Sequence, residues 1–290
     1  NSASVHGSPL SEGQVYEAKT MANYPTTPFE IPSEILSSWN EIGHKFDNDA
    51  KIWNEKVEQL SSDKKEFLKL ISKITTSNID NIILSLKEKF VKDNFSKATR
   101  NANGIILEEI VPQIQNLIGG TADLSGPTVV KNKNTKDITK DNFEGNFIHY
   151  GIREHEMACA MNGLSLSGIK AFGSTFFTFF DYLKPALRLS ALMKQGVVYV
   201  FTHDSFFIGE DGPTHQPIEH LASLRATPNV NVIRPADAIE ATEAWQIAIN
   251  ENSKPTVLLF SRQSAPLLRT DATNENKTAL GAYVISDFAK

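Results

Sequence analysis

Hydrophobic patterning divides the chain into two regimes that meet near residue 100. Beyond Gly119, short apolar runs recur over 146–150, 168–172, 197–201, 230–233 and 256–260. Each is strand-length and apolar without clear alternation, the pattern of a parallel strand buried on both faces. Helical patterns lie between them, over about 154–167, 179–193, 217–226 and 236–250, with Asp237 placed to cap the last. This alternation predicts an α/β fold: a doubly wound, mostly parallel sheet with helices on both faces.

The first regime is polar and lysine-rich. Residues 1–32 hold Gly7, Pro9, Gly13, Pro25, Pro28 and Pro32, the composition of an extended linker. A helical pattern follows from 33 to about 75. In it Phe67, Leu68, Leu70, Ile71 and Ile74 repeat at helix spacing, while Lys64, Lys65, Lys69 and Lys73 form a solvated face. Two further helices are predicted over 79–95 and 98–115.

The bulk composition narrows the function classes. Of 290 residues, 40% are apolar and 22% charged, with a net charge of −5, the balance of a globular protein. No basic stripe marks a nucleic-acid partner, and no apolar run is long enough for a membrane-spanning helix. Cys159 stands alone, so an intrachain disulfide is excluded and a reducing, cytoplasmic setting is expected. The N-terminus carries no signal or transit pattern, and the chain starts at Asn1 rather than Met, so a fragment is expected.

Candidate chemistry collects at the ends of predicted strands. Phe201 leads into Thr202, His203 and Asp204; Ile233 leads into Arg234; Phe260 leads into Ser261 and Arg262. Ligands of open parallel sheets bind beyond the carboxyl ends of strands, and two arginines with a histidine favour an anion. A metal is less favoured. Histidines 149, 155, 203, 215 and 220 fall in one quarter of the chain, but the 12- and 5-residue spacings of the last three fit no zinc pattern. His155-Glu156 opens like a zinc-protease helix, yet Cys159 stands where the second histidine belongs. Neither glycine-rich phosphate loop nor Gly-x-Ser-x-Gly occurs.

Two other stretches are unusual. In 205–220, Gly209, Gly212 and Pro213 impose turns that place Asp211 and His215 on a shaped loop suited to polyol binding and proton transfer. Phe176, Phe179 and Tyr182 lie three apart, and on a helix they would share one face. That face suits either a core or a slot for a flat heteroaromatic ring.

Taken together, VHGSPL (5–10), ATR (98–100), GGTADL (119–124), HYGIREHEMA (149–158), STFFTFFDY (174–182), THDS (202–205), GEDGPTHQP (209–217), LRATPN (224–229), IRPAD (233–237) and FSRQ (260–263) resemble the transketolases, in that family's order across almost the whole chain. The resemblance implies a thiamine-diphosphate enzyme that moves a two-carbon ketol unit between sugar phosphates in the pentose phosphate pathway. It implies that 1–97 is a linker and helical region ending the diphosphate-binding domain, that 98–275 is the pyrimidine-binding domain, and that 276–290 begins a linker to a further domain. Glu154 corresponds to the carboxylate that bonds the cofactor's pyrimidine, Phe179 to the ring stacked on it, and Phe176, Tyr182 and Asp123 to its surroundings. His6 corresponds to a linker histidine reaching the active site. Asp211 and His215 correspond to sugar-hydroxyl contacts, and Arg100, His203 and Arg262 to the set that holds the sugar phosphate.

The same resemblance implies a homodimer and a Mg2+ site on a Gly-Asp-Gly domain; that tripeptide does not occur in these residues, so the chain alone is expected to be inactive. Two departures bear on substrate preference. Pro127 stands where the family usually has a phosphate-binding serine, with Ser125 and Thr128 as possible substitutes, and Phe207 stands where glycine is usual. Alternatives are dihydroxyacetone synthase, deoxyxylulose-phosphate synthase, a 2-oxo-acid dehydrogenase β-subunit, and a transketolase-like binding module without catalysis.

Overall fold

The computed structural model describes residues 6–72 and 79–287. Lys73 and Ile74 of the predicted lysine-faced helix lie outside the described residues. The chain forms two compact units, Asn1–Lys65 and Glu66–Lys290.

The first unit contains α1 (Glu12–Met21), α2 (Ser33–His44) and α3 (Asp47–Glu58), and α4 (Ser62–Ser72) follows. Helix α1 corrects the expectation of an extended linker over 1–32. The Ser11 hydroxyl accepts from the Gln14 amide (3.3 Å) while Gln14 Oε1 accepts from the Ser11 amide (2.9 Å), a capping box. The prolines lie outside this helix, and Gly13 occupies its first turn, where amides need no intrahelical acceptor. No residue of α1, α2 or α3 is buried. Trp39, Ile42 and Trp53 are therefore exposed despite their apolar character.

The second unit is built on a six-stranded sheet of order β2-β1-β3-β4-β6-β5. The strands are β1 (Leu117–Thr121), β2 (Phe147–His149), β3 (Lys170–Phe176), β4 (Val198–Thr202), β5 (Asn231–Ile233) and β6 (Thr256–Phe260), all parallel. Helices α5 (Asp80–Lys92), α6 (Thr99–Ile110) and α11 (Ala238–Asn250) cover one face, and α8 (Glu154–Leu166), α9 (Phe180–Leu192) and α10 (His220–Arg225) the other. Along β4, Val198 and Val200 join the first core, with Trp245 and Phe90, while Tyr199 and Phe201 join the second, with Met161 and Leu183. This is the two-residue period of a strand buried on both sides. Short α7 (Ser125–Thr128) follows β1. Asp237 caps α11 as expected, its Oδ1 accepting from the Glu240 amide at 2.9 Å.

The sheet has one strand more than the apolar runs predict. Strand β1, LIGGT, is hidden by two glycines that weaken any strand signal. Their reason is close approach: a Cβ on Gly119 would lie 2.1 Å from the Phe172 ring, and one on Gly120 would lie 2.7 Å from the Ile148 carbonyl oxygen. Strand β3 also runs four residues past its expected end at 172, buried at every position. Within it, a Cβ on Gly173 would sit 2.3 Å from Met161 Sδ on α8.

A buried charge cluster ties the C-terminal segment to this unit. Lys87 Nζ donates to Glu243 Oε1 (2.6 Å) and to the carbonyls of Thr273 (3.1 Å) and Glu275 (2.8 Å). Glu243 Oε2 accepts from Arg269 Nη1 (2.8 Å) and from both the amide and hydroxyl of Thr278 (2.9 and 2.8 Å). Burial pushes the Glu243 carboxyl upward, but Arg269, Lys87 and Thr278 outweigh it and hold it below its ordinary value.

Gly119→Ala should destabilise the second unit by about 1–3 kcal/mol through overpacking against Phe172. Gly126→Ala, which meets nothing within 4 Å, should be close to neutral. Urea unfolding of both variants checks this, and equal midpoints would mean that β1 tolerates a Cβ.

Candidate active site

The candidate side chains stand at the carboxyl edge of the sheet. Phe176 ends β3, His203 follows β4, Asp123 follows β1 and Arg262 follows β6. Two of these strand exits turn through left-handed backbone at non-glycine residues, Asp123 (φ 61°) and His203 (φ 59°). Such conformations are costly and tend to persist where the surroundings over-determine them, often at sites.

Glu154 is the first residue of α8, where the helix dipole favours a carboxylate. It is only 6% exposed, and Thr175 Oγ1 on β3 donates to its Oε1 at 3.2 Å. Glu154 lines a cleft of ≈ 500 Å³ with Phe179 and Tyr182 on the facing element and Ile152, Arg153, His155 and Glu156 beside it. Phe176, Phe179 and Tyr182 do come together, but not on one helix. Phe176 is the end of β3, Phe179 closes a 3-10 turn and Tyr182 lies in the first turn of α9. Phe176 and Phe179 stack at 5.7 Å, Phe179 lies 6.0 Å from Tyr182, and His215 packs edge-on against Phe176 and Phe179 at 5.7 and 5.3 Å.

The Phe176 ring also touches His203, at 3.9 Å between centroids, and so joins the aromatic slot to a cationic cluster. Arg100 Nη1 lies 3.4 Å from His203 Nε2, and Arg262 Nε lies 3.4 Å from Asp211 Oδ2. A guanidinium can only donate, so Nε2 accepts; the proton is then on Nδ1, facing Thr202 Oγ1 at 2.9 Å. Burial, with the Arg100 charge next, lowers the His203 pKa to about 4, against a smaller opposing effect of Asp211. Burial and the neighbouring Arg262 likewise lower Arg100. Arg100 Nε and Asp211 Oδ2 are buried without a hydrogen-bond partner among the described residues. Asp211 Oδ2 has an ion pair but no hydrogen bond, and such unused bonding capacity beside two guanidiniums is what a ligand with an anionic group and hydroxyls would satisfy.

His6 is exposed and belongs to the first unit. Arg234, one of the strand-end arginines, is turned to Asp204 (2.7 Å) and lines a separate cleft with Phe207. The position of the family's serine is answered by backbone: the Pro127 carbonyl accepts from Arg100 Nη1 at 2.9 Å. Thr128 cannot substitute, because it is buried with its hydroxyl donating to the Leu124 carbonyl (2.6 Å); Ser125 is partly exposed. Among the described residues, the side chains grouped closely enough to hold a metal are Asp181, Glu219 and His220, without His203 or His215. Thr175 is not singled out by the sequence; its one signal is that, with Ser174, it puts hydroxyls into the end of a strand buried at every position.

Residues 96–266 match the family model described as transketolase, pyrimidine binding domain. The chain belongs to that family. Residues 1–79 match the model described as transketolase, thiamine diphosphate binding domain. Among curated relatives, transketolases of Cereibacter sphaeroides and Sinorhizobium medicae are each 42% identical over 98% of this chain. The chain spans 43% and 41% of their respective lengths. A solved transketolase from Leishmania mexicana superposes with a TM-score of 0.78 at 33% identity, over 89% of this chain and 39% of that one. One from Campylobacter jejuni gives 0.74 at 36% identity, over 90% of this chain and 39% of that one. The pyrimidine-binding family thus covers the entire sheet and the carboxyl-edge site.

Because the folded His203 pKa is depressed below the ordinary 6.5, its unfolded form binds the extra proton first. Stability should therefore fall as pH drops through the window from 6.5 to about 4. His203→Gln should flatten that part of the profile in urea unfolding. An unchanged slope would show that His203 titrates alike in the folded and unfolded protein.

Proposed function

We propose that this chain supplies the pyrimidine-binding part of a transketolase, which transfers a two-carbon ketol unit between sugar phosphates. The observation that carries this reading is the pairing of a buried carboxyl, Glu154, with the Phe179–Tyr182 wall of one cleft. An apolar wall can stack on a flat ring while the carboxyl bonds a ring nitrogen, so the donor set fits the pyrimidine of thiamine diphosphate. When bound, that cofactor supplies the carbanion chemistry that cleaves and remakes the ketose carbon–carbon bond.

The chain's own residues then have distinct tasks. Glu154 holds and shuttles a proton at the pyrimidine. Phe176, Phe179 and Tyr182 orient the ring and exclude water, with Asp123 beside it. Asp211 and His215 take sugar hydroxyls, and His215, packed on the aromatic slot, is placed to exchange a proton with one of them. Arg100, His203 and Arg262 take the phosphate. His6 would act from the linker. The whole enzyme on this reading is a cytoplasmic homodimer of the pentose phosphate pathway, with 98–275 as its pyrimidine-binding domain and Mg2+ and the diphosphate held by its other binding domain.

Glu154→Gln in the complete enzyme should abolish most ketol transfer while leaving thiamine diphosphate bound, because stacking and diphosphate contacts hold the cofactor. Deuterium exchange at the thiazolium carbon measures the step directly. Exchange at the unaltered rate would remove Glu154 from this role.

Arg262→Ala should raise KM for phosphorylated sugars roughly tenfold to hundredfold, the effect of losing a hydrogen bond to a charged group worth about 1.5–3 kcal/mol. Unphosphorylated analogues should change little. Steady-state kinetics on both substrate types distinguishes this from a structural role, for which both would suffer equally.

A further inference from the structure

We infer that Thr175 is a positioning residue for Glu154, holding one carboxyl oxygen so that the other is presented to the cleft. The inference rests on the reading that Glu154 meets the pyrimidine ring. Thr175 is the one recorded hydrogen-bond donor to the Glu154 carboxyl among the described residues, Oγ1 to Oε1 at 3.2 Å. Both partners are enclosed: Thr175 is fully buried and Glu154 nearly so. Strand β3 is buried at all seven positions and Thr175 lies in register with Phe201 of β4. Packing alone would be served there by valine. A buried hydroxyl is costly unless it is bonded, and its recorded side-chain partner is this carboxylate.

The choice of threonine is also informative. Branching at Cβ restricts χ1, so the strand fixes the direction of the hydroxyl. Glutamate, by contrast, has three rotatable bonds between backbone and carboxyl, and a helix N-terminus fixes only the first atoms. Without Thr175 the carboxyl would sample several orientations in a cleft of ≈ 500 Å³. Misplacement of a reacting group by about 1 Å can cost on the order of a hundredfold in rate. Strand β3 thus places Thr175 under the carboxyl and, at the next residue, Phe176 against Phe179 and His203.

The test is Thr175→Val in the complete enzyme, with Thr175→Ser and Glu154→Gln alongside. Thiazolium deuterium exchange should slow about tenfold to hundredfold in Thr175→Val, while the Kd for thiamine diphosphate changes by less than about threefold, and Thr175→Ser should restore most of the rate. A crystal structure of unliganded Thr175→Val should show the Glu154 carboxyl displaced from its parent orientation. If Val does not fold, Thr175→Cys, a weak donor of similar size to serine, takes its place with the same expectation. Normal exchange in Thr175→Val, or equal damage from Ser and Val, would overturn the inference. Glu154→Gln separates the two levels: its failure to slow exchange sinks the reading of the site, whereas a slow Glu154→Gln beside a normal Thr175→Val sinks only the role of Thr175.

Discussion

The site depends first on how tightly β3 is enclosed. Gly119 on β1 leaves room for the Phe172 ring, and Gly173 leaves room for Met161 from α8. With those neighbours fixed, β3 has little freedom to slide, and a one-residue slip would exchange its two faces. Its last residues then reach the candidate site: Thr175 bonds the first carboxyl of α8, and Phe176 spans the distance from Phe179 to His203. Packing density in the sheet is in this way converted into placement of a few polar atoms at its edge.

That edge is electrostatically balanced rather than simply positive. Arg262 faces Glu210 and Asp211, and Arg100 is engaged by the Pro127 carbonyl. His203 is kept neutral by burial and by the Arg100 charge beside it. If Arg262 takes a phosphate as proposed, that phosphate would compete with Glu210, and affinity would reflect a difference between two ion pairs. Specificity at this corner would then be set by what each arginine gives up, as much as by what it gains.

Much of this was legible in the sequence, and the exceptions have physical causes. Strands β4, β5 and β6 are plain apolar runs, and the strand-end position of His203 and Arg262 follows from them. Strand β1 was hidden because the close approach of Phe172 and Tyr150 demands glycine, which reads as a turn. Helix α1 was hidden because prolines on either side of it resemble a linker, although Ser11 and Gln14 write a capping box between them. Arg234 and Arg262 look alike at strand ends; only the fold shows that Asp204 claims the first. Thr175 could not be singled out, because its partner lies 21 residues away and across an element boundary.

The cluster of Lys87, Glu243 and Arg269 has a mechanical consequence. Pulling on the chain from beyond Tyr283 would load Thr278 and Arg269, both bonded to one carboxylate oxygen of Glu243, before it loaded any strand of the sheet. Those bonds converge on a carboxylate that is itself fully buried, so they would yield together and not one by one. The segment should behave as a brittle clasp: stiff under small forces, then lost in a single step that leaves the sheet intact.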